Sequence, residues 1–263
     1  MQYKGAVFFD YDGTLTDEHA GIFRPTAATC DAVRRLRENS YLAILATGRA
    51  FPYIYDTGVE FDGMSTSNGT YGVVAGKVIF DHPIEADALA RLTRRMDELG
   101  VNYGIDNPEI CYAADNTEPR FLGWINTFAI KPESYRRIEP GKPFKGYKFS
   151  ALFDNYEQIN QLRAEFGNEF EFACHRVFHY ADVNIKAYNK ATGVKAICEH
   201  FNLPIENTYA FGDGSNDYDM LKCVGHGIAM GHHAEELEEC AEFITKTVQE
   251  EGIEYGLKHY GLI

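Results

Sequence analysis

Two sets of acidic residues, each placed directly after a short apolar run, are the residues in this chain best suited to chemistry. In FFDYDGTL, Asp10 and Asp12 follow the run GAVFF and precede Gly13. Residues two apart in extended chain point to the same side, so both carboxylates can address one point. In AFGDGSNDYDM, Asp213 and Asp217 follow a second apolar run. Taken alone, DYDGT also reads as an exposed turn, because Asp and Gly are common turn formers. Two such sets, each at the end of an expected strand, point instead to a shared metal site. Crowded carboxylates repel unless a cation lies among them, and Mg²⁺, which takes oxygen ligands and keeps several waters, fits that donor type. Asp213, Ser215, Asp217 and Asp219 alternate as in an EF-hand loop, yet that loop needs Gly at its sixth position and Glu at its twelfth. Tyr218 and Val224 stand there, which excludes calcium binding of that kind.

A third run ends in ATGR, which supplies the Thr47 hydroxyl, the Gly48 backbone and the Arg49 guanidinium at an expected helix start. Backbone amides and a hydroxyl in that position suit phosphoryl oxygens. Phosphoryl transfer also needs a cation to offset the transferring group and the attacking carboxylate. Lys190 is the candidate, with Lys186 and Lys195 as rivals.

The elements that must position these residues alternate in the first third of the chain. GAVFF is followed by a helix over TAATCDAVRRLREN, with Val33 and Leu36 three apart behind a capping Thr26, and then by the run YLAILA. Continuous apolar runs of this kind suit parallel strands covered on both faces. GMSTS is a third strand, and VVAGKVIF reads as a hairpin turning at Ala75 and Gly76. Alternation returns after Asn189 with the helix KATGVKAICEHF, the strand TYAF, a helix from about Ser215, the strand GIAM and a helix near Ala234. Between them, EADALARLTRRMDEL and NYEQINQLRAEF read as helices, while VNYGI, YKFSALF, FEFAC and VFHYADVNI read as neighbouring strands of an antiparallel sheet with helices on one face. The expected fold is α/β: a doubly wound, Rossmann-like parallel-sheet core from residues 1–81 and 187–263, with an α/β cap inserted over 82–186.

With 263 residues, 45% of them apolar and 24% charged, the chain is long enough for two unequal domains. A net charge of −14 excludes nucleic acid as the expected partner, since a phosphate backbone demands a basic footprint. It does not exclude a phosphorylated metabolite, because a bound divalent cation reverses the local field. No apolar run of membrane-spanning length occurs, and the chain opens without a basic, apolar and cleavage-site sequence, so a cytoplasmic location and no membrane partner are expected. Cys30, Cys111, Cys174, Cys198, Cys223 and Cys240 form no CxxC pair and are expected as free, mostly buried thiols. Oligomeric state is not legible.

The order DYDGTL, ATGR, Lys190 and GDGSND resembles the haloacid dehalogenase (HAD) superfamily of phosphatases along the whole chain. The SNG triplet at Ser67, Asn68 and Gly69 and the ending GIAMGHHAEELEECAEFIT are similar to its Cof-like branch, whose α/β cap is inserted after the third core strand. The resemblance implies a phosphatase in which Asp10 attacks phosphorus and Asp12 serves as acid and then base. It also implies Mg²⁺ held by the Asp10 side chain, the Asp12 carbonyl and Asp213, with Asp217 and Asn216 helping from outside. Thr47 and Lys190 would hold phosphoryl oxygens, and Gly48, Arg49, Asn68 and Asn216 would lie near phosphate or substrate. His232 and His233 stand where the branch often has asparagine after MG, which departs from its pattern; adjacent histidines there read as a loop pair rather than a second metal site. Tyr11 reads as packing. The cap is expected to choose the substrate, a sugar phosphate or similar metabolite, with His175, Arg176, His179 and Tyr180 as candidate contacts, although alternate residues of HRVFHYADV on a strand face solvent whatever the substrate. A phosphotransferase or phosphomutase using the same aspartyl-phosphate, and a non-catalytic phospholigand sensor, are the alternative functions.

Overall fold

The computed structural model describes residues 3–54, 57–175 and 179–263. In chain order the regular elements begin with β1 (Gly5–Phe9), α1 (Ala27–Glu38), β2 (Tyr41–Ala46), β3 (Gly63–Thr66), β4 (Tyr71–Val74) and β5 (Lys77–Asp81). Then come α2 (Ala86–Leu99), β6 (Asn102–Ile105), β7 (Cys111–Ala113), α3 (Pro119–Thr127), β8 (Tyr135–Arg137), β9 (Lys148–Leu152), α4 (Tyr156–Phe166), β10 (Phe170–His175) and β11 (Tyr180–Ile185). The chain closes with α5 (Lys190–His200), β12 (Thr208–Gly212), α6 (Tyr218–Cys223), β13 (His226–Ala229), β14 (Phe243–Ile244) and α7 (Gly252–His259). Two compact units result, one of Met1–Gly48, Asp56–Asp81 and Asn189–Ile263, the other of Arg49–Tyr55 and His82–Tyr188.

In the first unit an eight-stranded sheet runs in the order β14-β13-β12-β1-β2-β3-β4-β5. Strands from β14 to β3 are parallel, and β3, β4 and β5 are joined antiparallel. Side chains of β1 alternate between faces: Ala6 and Phe8 pack with Val194 and Ile197 of α5 and Met220 of α6. Phe9 stacks on Phe211 with ring centroids 5.4 Å apart, and Gly256 of α7 lies against that Phe211 ring. Helices therefore cover both faces, the arrangement that makes an apolar parallel strand stable. Thr26 caps α1 by accepting a hydrogen bond from the Thr29 N–H, and Ala32, Val33 and Leu36 bury its inner stripe. Ala75 and Gly76, both at positive φ, turn the β4–β5 hairpin where the sequence places it.

The second unit holds a six-stranded sheet in the order β10-β11-β9-β6-β7-β8, antiparallel except for β7 with β8. Phe149 and Ala151 of β9 meet Leu92 and Met96 of α2 and Ile159 and Leu162 of α4 on one face. The other face is also covered, contrary to the expectation of helices on one face: Phe121, Trp124 and Ile125 of α3 pack there with Tyr53, Tyr135 and Tyr180. Trp124 and Ile125, three and four residues beyond Phe121, give α3 its apolar stripe. Tyr53 explains why Arg49–Tyr55 belongs to this unit rather than to the core range expected, since its ring stacks on Tyr135 and its hydroxyl donates to Asp106 at 3.1 Å. The far junction falls between Tyr188 and Asn189, not between 186 and 187.

Other local expectations are corrected by short-range geometry. A single 3₁₀ turn, Phe51–Tyr53, follows ATGR instead of a helix, with Pro52 in its first turn. Near Ala234 there is likewise only a 3₁₀ stretch, Glu235–Glu239. Helix α7, with Ile253 and Leu257 buried, was not expected, because its two glycines mask the periodicity. All six cysteines are free; Cys111 and Cys198 are buried and the other four only half-buried. Among the described residues no helix is long and apolar enough to cross a membrane.

Gly69 has φ +84° and lies so close to the Asn189 carbonyl that an added Cβ would sit 2.0 Å from its oxygen, whereas Gly21, at φ +74°, has open space around it. Both substitutions to Ala incur the left-handed penalty of about 1 kcal/mol. Urea unfolding should show Gly69→Ala losing clearly more than Gly21→Ala; equal losses would mean that the contact with Asn189 carries no constraint.

Candidate active site

From β1 the chain steps outward through β2 and β3, and from β12 it steps the other way through β13 and β14. The strand order therefore reverses between β1 and β12, and open α/β sheets bind ligands in the crevice at that reversal, beyond the carboxyl ends of the strands. Asp10 is the first residue past β1 and Asp213 the first past β12, so the sheet itself brings the two acidic sets together. The Asp10 N–H donates to the Phe211 carbonyl at 3.0 Å, extending the β1–β12 ladder one step to the nucleophile candidate. After Asp12 the chain folds back, with the Tyr11 carbonyl accepting from the N–H groups of Leu15 and Thr16 at 2.9 and 3.0 Å. Gly13, at φ +83°, lies against Asp213, where an added Cβ would stand 2.0 Å from a carboxylate oxygen. Only glycine meets both conditions.

Lys190 is 1% exposed, and its ammonium donates to Asp10 Oδ1 and Asp217 Oδ1, each at 2.6 Å. Asp217 Oδ2 accepts the backbone N–H groups of Asp213 and Gly214 at 3.0 Å, so its carboxylate ties the loop after β12 to the lysine. Asp213 Oδ1 accepts from the Thr14 hydroxyl at 2.8 Å. Thr47 is buried at the end of β2; its N–H donates to Ser65 and its carbonyl accepts the Asn68 N–H at 3.1 Å. Gly48 lies beside the Asn68 carboxamide, and Asn216 Nδ2 donates to Asn68 Oδ1 at 3.5 Å. Ser67 and Asn68 have φ of 48° and 54°, so this buried triplet holds two non-glycine residues in the left-handed region. Backbone strain of this kind collects where surrounding contacts fix it, often at functional sites.

The electrostatics follow from the count of charges. Burial, and then the neighbouring Asp217, push Asp10 well above the ordinary carboxylate range, with Asp213 and Asp12 adding to the rise and Lys190 opposing it. Asp213 is raised to about 7, first by burial and then by Asp217. Burial pulls the Lys190 ammonium down, but Asp10 and Asp217 outweigh it and hold the lysine above its usual value. Asp10 and Asp217 thus share one ammonium while Asp12 and Asp213 add their charge to Asp10, and the surplus negative charge is what a divalent cation offsets. Ligand oxygens of Asp10, Asp213 and Asp217 all lie within 4.8 Å of one another, a set of hard oxygen donors that fits Mg²⁺. Asp217 already accepts three hydrogen bonds, from the Lys190 ammonium and from the Asp213 and Gly214 N–H groups.

Of the rival lysines, Lys186 is exposed in the second unit and donates to the Gly167 carbonyl, and Lys195 is exposed on α5. Arg49 belongs to the second unit. His232 is exposed, and His233 Nδ1 donates to the Met230 carbonyl at 2.6 Å. Tyr11 is buried. In the second unit, His175 stacks on Tyr180 at 4.2 Å and bonds Asp182 at 3.0 Å, while His179 stacks on Phe153; Arg176 lies outside the described residues. Thr14 was not singled out from the sequence, although it stands inside DYDGTL; its partner is 199 residues away, which spacing alone does not reveal.

The family of haloacid dehalogenase-like hydrolases matches residues 7–257. The chain belongs to that family. Among HAD relatives, the Bacillus subtilis (strain 168) protein named "Putative phosphatase YkrA" is 32% identical over 269 residues, covering 98% of each chain. A solved structure from Geobacillus kaustophilus HTA426 is 31% identical with a TM-score of 0.86, covering 98% of this chain and 99% of that one. The HAD subclass IIB sugar phosphatase BT4131 shares the fold at a TM-score of 0.84 and 24% identity, over 98% of this chain and all (100%) of that one.

Removing the Lys190 ammonium from this HAD site leaves Asp10 and Asp217 buried without the cation that bridges them. Lys190→Met should cost about 3 kcal/mol in metal-free buffer at pH 8. Asp10 and Asp213, which Lys190 holds down, rise further in the variant, so its folded state binds more protons than the unfolded chain and regains stability as pH falls. Urea unfolding at pH 8 and pH 5.5 should show the loss shrinking at the lower pH; an equal loss at both would contradict the shared-charge account.

Proposed function

We propose that this protein is a Mg²⁺-dependent phosphatase that releases phosphate from a small phosphorylated metabolite, such as a sugar phosphate, through a phosphorylated Asp10. The observation that carries this reading is the buried Lys190 ammonium bridging Asp10 and Asp217 at the reversal of strand order. An Asp10 oxygen attacks phosphorus, the bond to the leaving alkoxide breaks, and Asp12 supplies the proton that the alkoxide takes. Water then attacks the same phosphorus, Asp12 takes the water's proton, and the acyl-phosphate bond breaks to free phosphate and Asp10. Lys190 and the Thr47 hydroxyl hold phosphoryl oxygens, and Gly48, Asn68 and Asn216 are assigned to the phosphate and its leaving group. Mg²⁺, held by Asp10, the Asp12 carbonyl and Asp213 with Asp217 behind them, would supply Lewis-acid neutralisation of the phosphoryl charge. The phosphatase names of the relatives and the sugar-phosphatase neighbour support the same chemistry.

Purified protein with Mg²⁺ should release phosphate from p-nitrophenyl phosphate and from members of a sugar-phosphate panel, and Asp10→Asn should abolish release. Full activity in Asp10→Asn would remove the nucleophile assignment, and phosphoryl transfer to an added sugar exceeding hydrolysis would make the protein a phosphotransferase.

Because Asp213 titrates near pH 7 in the metal-free protein, protons compete with the cation below that value. Thermal-shift titration should give a Mg²⁺ midpoint about tenfold weaker at pH 6 than at pH 8. A pH-independent midpoint would exclude Asp213 as a ligand.

A further inference from the structure

Lys190 is the first residue of α5, and Asp217 stands immediately before α6. The 2.6 Å contact between them is one tie between these two helix starts. One residue before Lys190 and two residues after Asp217 there is a second tie: Asn189 Nδ2 donates to Asp219 Oδ2 at 2.7 Å. Asn189 is also the N-cap of α5. Its Oδ1 accepts the Thr192 N–H at 3.1 Å, and the Thr192 hydroxyl meets the Asn189 backbone N–H at 3.1 Å and carbonyl at 2.7 Å. On its other side, the Asn189 carbonyl is pressed by Gly69 of the left-handed triplet.

Capping does not explain why the residue is asparagine. Asp caps a helix as well as Asn and suits the positive end of the helix dipole better. What Asp lacks is a donor. With Oδ1 used by the cap, the amide nitrogen of Asn189 is left to reach Asp219, which a second carboxylate would repel.

We infer that Asn189 and Asp219 form a positioning clamp that keeps Lys190 aimed while Asp10, one of its two carboxylate partners, is being converted. The inference rests on the proposed phosphatase reading. Once Asp10 carries a phosphoryl group its pairing with the ammonium changes, and Asp217 is the one carboxylate partner of the lysine left unaltered. The clamp joins the same two helix starts without touching the reacting atoms, so it persists through the cycle. A displacement of about 1 Å at such a group is enough to slow a reaction by orders of magnitude.

Asn189→Asp keeps the cap and breaks the clamp, while the pair Asn189→Asp with Asp219→Asn exchanges donor and acceptor and restores it. With p-nitrophenyl phosphate and Mg²⁺, Asn189→Asp should lower kcat about tenfold with KM and Tm little changed, and the exchanged pair should recover most of kcat. Hydrogen exchange over the first turn of α5 reads the clamp without turnover; it should quicken in Asn189→Asp and slow again in the exchanged pair. Wild-type kcat in Asn189→Asp, or no recovery in the exchanged pair, overturns the clamp. Wild-type protein that releases no phosphate defeats the phosphatase reading instead, and the exchange rates then decide the clamp alone: unchanged rates overturn it.

Discussion

One buried ammonium shared between two carboxylates, with two more acting on the first of them, is the constraint on which the rest of this molecule depends. Lys190 contacts Asp10 and Asp217 directly, and burial together with like charge drives the protons of Asp10 and Asp213 upward. Such a cluster is costly to fold, because desolvated charges stabilise one another only when geometry and hydrogen bonding are nearly complete. The surrounding structure supplies that completeness. Asp217 accepts two backbone N–H groups, Thr14 donates to Asp213, and the Asp10 N–H is held by the neighbouring strand.

The sheet explains why these groups converge. Parallel strands β1 and β12 end within one residue of each other, since Phe9, the last of β1, pairs with Phe211, the second-to-last of β12, and each strand is followed at once by an aspartate. The start of α5, which precedes β12, and the residue before α6, which follows it, bring Lys190 and Asp217 to that end of the sheet. Gly13 and Gly69 permit two close approaches that a side chain would forbid. Stability is concentrated in the apolar sheet core and tension in the polar crevice, the usual division between scaffold and site.

Much of this was legible in the residues. Apolar runs of strand length, each followed by Asp or Thr, marked β1, β2 and β12, and the Ala75–Gly76 turn marked a hairpin that the backbone confirms. Misjudgements occurred where local signals were weak. Glycines obscure α7. ATGR was expected to open a helix, yet Pro52 and the packing of Tyr53 leave a single 3₁₀ turn that joins the second unit.

The sequence by itself determined the chemical types at the site, because motif residues carry their donor and acceptor groups wherever the chain goes. It also determined the alternation that makes a doubly wound sheet, because side-chain periodicity is a local property. Only the tertiary structure decided which lysine lies among the aspartates. Lys186, Lys190 and Lys195 are equivalent as cations, and burial between Asp10 and Asp217 selects one of them. The roles of Thr14, Asn189 and Asp219 were likewise hidden, since their contacts span 199 and 30 residues of chain. Distances of that kind are fixed by strand register and helix placement, which no short stretch of sequence encodes.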